Sequence, residues 1–391
     1  MMSDRNHKIW RRVSLVEQCE AHVDCVNRTA PIVNDVTPFK MIRTTNVRDG
    51  FIDLSSVRYV TEDTYIKWTR RLVPRKGDII LTREAPLGEV GKIRTDGTIF
   101  LGQRLYHFRP DPKKLDADFL LYSLQDADLQ GQIRSFGSGS TVEHMRLEDI
   151  NKLQINLPPL PQQRRIAGIL TAYDELIDNS QRRIAILESM ARGLFREWFV
   201  RFQFPGHRAL PLVKSSLGNS PKGWRICKLG DILELKYGKA LKQEERRGGP
   251  IPVFASSGIV GYHDECLARG PGIIVGRKGN VGSVYWSDDD FFVIDTAYFV
   301  TSSVPLRFLY YDLQTKNFLN TDAAVPGLSR HQAYALETVI PPAELLARFR
   351  QLADDFERQA SILRRQIQNL RRTRDLLLPR LLSGQIDLSQ T

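Results

Sequence analysis

With 391 residues, 42% of them hydrophobic, the chain is long enough for two or three domains with proper cores. No stretch approaches eighteen consecutive apolar residues, which argues against a membrane-spanning helix, and Met1 to Lys8 lack the apolar core of a signal peptide, so a cytoplasmic location is expected. The net charge of +11 favours polyanionic partners, because Lys and Arg beside phosphates release condensed counterions. The four cysteines, Cys19, Cys25, Cys227 and Cys266, show no C-x-x-C spacing, which argues against zinc and against a disulfide framework.

In chain order, Trp10-Arg11-Arg12-Val13-Ser14-Leu15 is followed by the apolar run Ile79–Leu81, which reads as a short strand inside Gly77-Asp78-Ile79-Ile80-Leu81-Thr82-Arg83. Leu87-Gly88-Glu89-Val90 comes next, then a short helix over Asp118–Gln125. Leu157-Pro158-Pro159 ends a strand and opens a helix running from Gln162 to about Arg201. The second half begins with Trp224-Arg225-Ile226-Cys227-Lys228-Leu229. Strands are expected at Ile273–Val275, Phe291–Ile294 and Tyr298–Val300, and a helix at Leu306–Gln314. Ile340-Pro341-Pro342 opens a last helix from Glu344, with Gly384 as its stop.

These landmarks form a tandem repeat. Pro271-Gly272-Ile273-Ile274-Val275-Gly276-Arg277 and Val281-Gly282-Ser283-Val284 follow their first-half counterparts at an offset of 194. Across the ordered series the offset shrinks from 214 at the tryptophans to 183 at the Pro-Pro pairs, as small loop insertions would produce. Each globular half reads as α+β with a small sheet.

The long helices carry matching heptad seams. Ile166, Leu170, Tyr173, Ile177, Ser180, Ile184, Leu187, Ala191, Leu194 and Trp198 recur at alternating spacings of four and three. Adding 183 gives Phe349, Ala353, Phe356, Ala360, Leu363, Ile367, Leu370, Arg374, Leu377 and Leu381, with Arg374 the one charged member. At 1.5 Å per residue each helix is roughly 55 Å long. Pairing of the two as an antiparallel coiled coil is expected, with the globular halves at opposite ends. The resulting division is a first globular domain over 1–157, a central helical spacer over 158–203, a second globular domain over 204–340 and a C-terminal helical spacer over 341–391. From Gln162 to Arg201 and from Glu344 to Gly384 the helices use Arg and no Lys. Such a face can dock partner proteins, since Arg lays its stem on apolar surface and bridges carboxylates; an ordinary solvated face is the alternative.

No catalytic constellation assembles. Asn156-Leu157-Pro158-Pro159-Leu160 lacks the acidic or amide residue before Pro-Pro, and the aromatic after it, that an amino-methyltransferase needs to hold a flipped base. Asp231 lies too close in sequence to Glu234 and Lys236 for a nuclease metal site. Gly137-Ser138-Gly139-Ser140 and the Gly276–Gly282 segment lack the ending of a phosphate-binding loop and read as flexible turns. The seven histidines are scattered.

The Leu157–Ile166 helix start, the segment Met190–Val200, the ending Leu377–Gly384 and the Gly77–Arg83 strand resemble the specificity subunit of type I restriction–modification systems, over essentially the whole chain. The resemblance implies two target-recognition domains, each reading one half of a split, asymmetric double-stranded DNA sequence. The paired helices would set the gap and dock two methyltransferase subunits, and the complex would recruit ATP-driven restriction subunits. No cofactor is expected on this chain; S-adenosylmethionine, ATP and Mg would belong to the partners. Pro341-Pro342-Ala343-Glu344-Leu345 lacks the Pro-Gln-Gln of the first helix start, so docking there is expected to differ. A free-standing DNA-binding regulator, or a coiled-coil scaffold, is the alternative.

Base readout in the major groove favours Arg on guanine and Asn or Gln on adenine. Arg83 and Arg277, at matched positions after a strand, are the first candidates, with Lys278 beside the second. Their alternative role is structural, a repeated arginine bracing its loop through a carboxylate. Arg104, Arg134 before the glycine-rich turn, and Ser329-Arg330-His331 are secondary candidates. Arg70-Arg71, Arg75-Lys76 and Arg246-Arg247 have the look of phosphate clamps or of plain solvated surface.

Overall fold

The computed structural model describes residues 10–137, 143–318, 327–386 and 388. The turn over Ser138–Ser140 and the N-terminal eight residues therefore lie outside the described residues. Two compact units are present: the chain up to Ser180 together with everything from Arg365, and Gln181–Arg364.

The first unit contains β1 (Arg11–Ser14), β2 (Cys19–Asp24), β3 (Lys40–Ile42), β4 (Val47–Arg48), β5 (Phe51–Ile52) and β6 (Arg58–Tyr59). After α1 (Glu62–Thr69) come β7 (Ile79–Arg83), β8 (Leu87–Lys92), β9 (Ile99–Leu101) and β10 (Leu105–Pro110). Then follow α2 (Ala117–Gln125), α3 (Ala127–Ser135), α4 (Leu147–Ile150) and β11 (Gln154–Leu157). Long helix α5 (Leu160–Phe195) contributes its part up to Ser180.

The second unit holds the rest of α5, then β12 (Leu212–Ser215), β13 (Gly218–Pro221), β14 (Arg225–Lys228), β15 (Leu233–Tyr237), β16 (Ile251–Ala255) and β17 (Gly258–His263). These are followed by β18 (Gly272–Gly276), β19 (Val284–Ser287), β20 (Phe292–Val293), β21 (Ala297–Ser302), α6 (Leu306–Gln314), α7 (Arg330–Ala335) and β22 (Glu337–Ile340). Helix α8 (Ala343–Leu382) belongs to this unit as far as Arg364.

Three sheets repeat between the units: β1-β11, β2-β10-β7-β8 and β6-β3-β9 in the first correspond to β14-β22, β15-β21-β18-β19 and β17-β16-β20 in the second, whereas among the described residues the pairs β4-β5 and β12-β13 each occur in one unit. Even the mixed pairing recurs, since β3 runs parallel to β9 and β16 parallel to β20. Instead of one small sheet, each half therefore folds a four-stranded and a three-stranded sheet face to face. The reason is legible in β7. Ile79 and Leu81 face α2 and the long helices, whereas Ile80 faces the three-stranded sheet. In β18 Ile273 and Val275 face α6 and Ile274 faces Phe254 and Val293. A strand covered on both sides reads as a continuous apolar run rather than an alternating one. Each of these fully buried side chains contributes about 1.5–3 kcal/mol by leaving water.

Register confirms the equivalence: Leu81 pairs with Val90 as Val275 pairs with Val284. The shared glycine of that hairpin is required by its backbone, with φ of +91° at Gly88 and +76° at Gly282. The expected strand Phe291–Ile294 shortens to Phe292–Val293. The segment Gly276–Gly282, expected to be a flexible turn, is closed instead by hydrogen bonds from Gly276 N to Ser283 O and from Gly282 N to Gly276 O.

Every residue of both heptad seams is buried or half-buried. Within the first unit, Ile166 and Leu170 share a core with Leu381 and Leu382, and Arg374 reaches Asp174 at 2.5 Å. Within the second, Trp198 packs on Phe349 and Arg364 reaches Glu188 at 2.8 Å. In each unit rising numbers on α5 meet falling numbers on α8, so the helices pair antiparallel. The α-helical part of α5 ends at Phe195, short of the expected Arg201, and continues as a π turn over Arg196–Val200. That wider turn buries both Trp198 and Phe199, and Phe199 lies 5.0 Å from the rings of Phe308 and Phe349. Gly384, at φ +74°, follows α8 as its stop. No described helix is long and apolar enough to cross a membrane.

Candidate nucleic-acid interface

The two four-stranded sheets end in equivalent ways, each within its own unit. Arg83 closes β7 and Arg277 immediately follows β18, and each backbone carbonyl is tied to a returning loop: Met145 N donates to Arg83 O at 2.9 Å and Leu328 N to Arg277 O at 2.7 Å. One residue on, bridges join Glu84 to His144 and Lys278 to Gly327. Opposite them, Arg83 N donates to Arg104 O and Arg277 N to Thr296 O. Five of the six candidate base readers, Arg83, Arg104, Arg277, Lys278 and Arg330, lie on these two loop clusters. Arg134 does not join them through any described contact; it stands exposed in the last turn of α3.

The side chains then diverge. In the first unit the Arg83 guanidinium donates to Met145 O at 3.0 Å, and Arg104, held at φ +68°, pairs with Glu84 at 3.2 Å. In the second, Arg277 donates to Asp295 O at 3.1 Å and lies 4.9 Å above the Tyr237 ring. Arg330, at the start of α7, lies 4.5 Å above the same ring. Lys278 is half exposed and 4.0 Å from the Asp295 carboxylate. Among the described residues, the hydrogen bonds of both guanidiniums go to backbone carbonyls, Met145 O and Asp295 O, and not to a carboxylate.

Strand register identifies the counterparts. Tyr106 pairs with both Asp24 and Leu81, and Tyr298 with both Tyr237 and Val275, so Asp24 stands where the second unit has Tyr237. Equivalent positions therefore carry Glu84 and Lys278, Arg104 and Thr296, His144 and Gly327, Asp24 and Tyr237. Sequence reading missed Tyr237. Its signal was an aromatic between two lysines, in Lys236-Tyr237-Gly238-Lys239.

The far end of β7 is anchored by a buried ionic cluster. Asp78 accepts from His107 at 2.6 Å, from Arg109 Nε at 2.9 Å and Nη2 at 2.7 Å, and from Arg75 N at 2.8 Å. Burial alone would raise its carboxyl, but the hydrogen bonds from His107 and Arg109 hold it below the ordinary carboxylate value. Of the clamp-like pairs, Arg71 bonds Asp24, Arg75 pairs with Glu20 at 2.8 Å, and Arg247 pairs with Asp264 at 2.8 Å and Glu265 at 2.7 Å. Arg246 donates to Val260 O at 2.7 Å. Arg70, Lys76, Ser329 and His331 are exposed.

A second surface lies along the helices. In the second unit Ile186, Met190, Leu352 and Ile362 are 58%, 47%, 36% and 49% exposed. Each stands one residue before or two after a seam residue of the larger step, the g and c positions of the heptad. Reversing one helix of a pair brings like flanks together, so these four apolar residues share one side of the pair.

The sequence profile of the type I restriction modification DNA specificity domain matches residues 34–189 and 221–342. The type I restriction enzyme MjaIX specificity subunit of Methanocaldococcus jannaschii is 25% identical over 368 residues, covering 85% of this chain and 83% of its own. The MjaVIII specificity subunit of the same organism is 25% identical over 207 residues, 50% of this chain and 46% of its own. Among solved structures, the type I restriction–modification S subunit from M. genitalium superposes with a TM-score of 0.59 at 18% identity, covering 97% of this chain and 98% of that one. With a matching profile in both halves and a fold shared over nearly the whole chain, the chain belongs to the family of type I restriction–modification DNA specificity subunits.

Proposed function

We propose that this chain recognises an asymmetric, bipartite DNA sequence for a type I restriction–modification complex, one half-site per unit, and catalyses nothing itself. The observation that carries the reading is the pair of equivalent loop clusters with unlike side chains. The scaffold beneath Arg83 and Arg277 is the same, yet the cluster carries Glu84, Arg104 and His144 in one unit and Lys278, Thr296 and Gly327, with Arg330 beside them, in the other. Like scaffolds with unlike donor and acceptor sets read unlike base pairs. Arg83, Arg104, Arg277, Lys278 and Arg330 are the proposed base or phosphate contacts, and the exposed Arg134 of α3 is a separate proposed contact.

The paired helices then serve as a spacer, and the exposed Ile186, Met190, Leu352 and Ile362 serve as a docking face for methyltransferase subunits. Apolar patches of this kind mark protein interaction sites. Restriction subunits join that assembly, and S-adenosylmethionine, ATP and Mg act on the partners. Joining two weakly binding units makes the second engagement effectively intramolecular, which raises affinity without new contacts.

The test is to assemble the chain with its methyltransferase subunits and sequence the DNA they modify. A split sequence with unlike halves is expected. Replacing residues 225–340 by residues 11–157 should make the two halves alike. A contiguous target, or one unchanged by the exchange, refutes the proposal.

A further inference from the structure

We infer that Tyr237 is a positioning residue that holds Arg277 and Arg330 as a paired reader of guanine, so that the half-site of the second unit contains guanine. This rests on the two-half-site reading above. Both guanidinium carbons lie over the one phenol ring, Arg277 at 4.9 Å and Arg330 at 4.5 Å. An arginine over a ring face is attracted to it electrostatically and loses the freedom of its long stem before any ligand arrives. Its N–H donors lie in the guanidinium plane, and those beyond the Nη1 bond that each arginine makes to a backbone carbonyl lie at the edge, the geometry that meets guanine O6 and N7 bidentately.

The ring is itself fixed. Tyr298 packs against Tyr237 at 5.1 Å, and its hydroxyl donates to Leu328 O at 3.0 Å, which ties the ring pair to the loop carrying Arg330. Arg277 is oriented further by its bond to Asp295 O, and Arg330 donates to Leu235 O at 3.4 Å. At the equivalent position the first unit carries Asp24, which bonds Arg71. Tyr237 is 48% exposed at the end of β15.

The experiment is selection of bound duplexes from a randomised library by the full chain assembled with its methyltransferase subunits. The half-site altered by Arg277→Ala identifies the part of the target read by the second unit, and guanine is expected there. Arg330→Ala and Arg277→Ala should each lower the preference for guanine at one position by about 5- to 150-fold. Arg330→Lys keeps the charge but loses the planar fork, and should lose the preference almost as fully. Tyr237→Ala should weaken guanine preference at both positions, whereas Tyr237→Phe keeps the ring and should keep the preference. A purely structural tyrosine would lower the melting temperature and leave the base profile alone. Loss of affinity spread evenly over all sequences, or equal damage from Tyr237→Phe and Tyr237→Ala, overturns the inference. A bipartite target whose affected half lacks guanine also overturns it while sparing the two-half-site reading. A library with no preferred sequence overturns both.

Discussion

Arg374 is the one charged residue in either heptad seam, and its replacement is expected to be costly for a reason visible in the first unit. Its guanidinium reaches the Asp174 carboxylate at 2.5 Å, and Asp174 also accepts a 2.7 Å bond from the Tyr122 hydroxyl of α2. Burial pushes the Tyr122 phenol well above its ordinary value, so it stays a donor at neutral pH. Removing Arg374 leaves the nearly enclosed Asp174 carboxyl with the Tyr122 hydroxyl as its partner among the described residues. Exposed ion pairs contribute about 0.2–1 kcal/mol, and breaking a buried pair costs about 3–5 kcal/mol. With side-chain exposures of 27% for Arg374 and 10% for Asp174, the present pair lies between. Arg374→Met, which keeps an apolar stem in the seam, should therefore cost about 2–3 kcal/mol. Urea denaturation of the full chain, with amide exchange of α5 up to Ser180 as the local probe, measures it. Adding Asp174→Leu should restore most of the loss, because two apolar neighbours need no compensation. A single-variant cost below about 0.5 kcal/mol, or strict additivity of the two changes, would refute the reasoning.

Three further outcomes are expected. Asp78, held below its ordinary value of 3.8, contributes stability that is present above pH 3.8 and lost as pH falls through its lower folded value. Asp78→Asn should flatten that acid limb and destabilise the first unit at pH 7, which unfolding midpoints between pH 3 and 7 would reveal; an unchanged limb counts against the cluster. Gly282→Ala places a Cβ 2.7 Å from Phe318 Cβ at φ +76°, and should cost at least about 1–2 kcal/mol in thermal unfolding. Gly88→Ala, facing only the end of the Gln130 side chain at 2.9 Å, should cost less. Ile186→Glu with Ile362→Glu should leave stability within about 0.5 kcal/mol, since both are exposed. The same pair should abolish co-elution with methyltransferase subunits in size-exclusion chromatography, and unimpaired assembly would remove that face from consideration.

The helices were legible in the sequence because a heptad seam depends on burial alone, and burial has a period. Gly88 and Gly282 were legible for a related reason, since a backbone at positive φ admits few substitutes. The doubling of each sheet was not legible. A strand buried on both faces, such as Ile79-Ile80-Leu81, has no alternation from which a second sheet could be inferred. The partners of the basic side chains were hidden more deeply. Arg83 and Arg277 share a sequence position and a tethered carbonyl, but Met145 and Tyr237, which hold their guanidiniums, lie on unrelated parts of the chain. The repeat marks where a reading residue can stand. What it would read depends on side chains that differ between equivalent positions, as Tyr237 differs from Asp24. This division suits a recognition protein, whose scaffold must persist while the chemistry at the sheet ends changes. The shared offset of 183 in the helices, against drifting offsets in the loops, is the trace of those two demands in the chain.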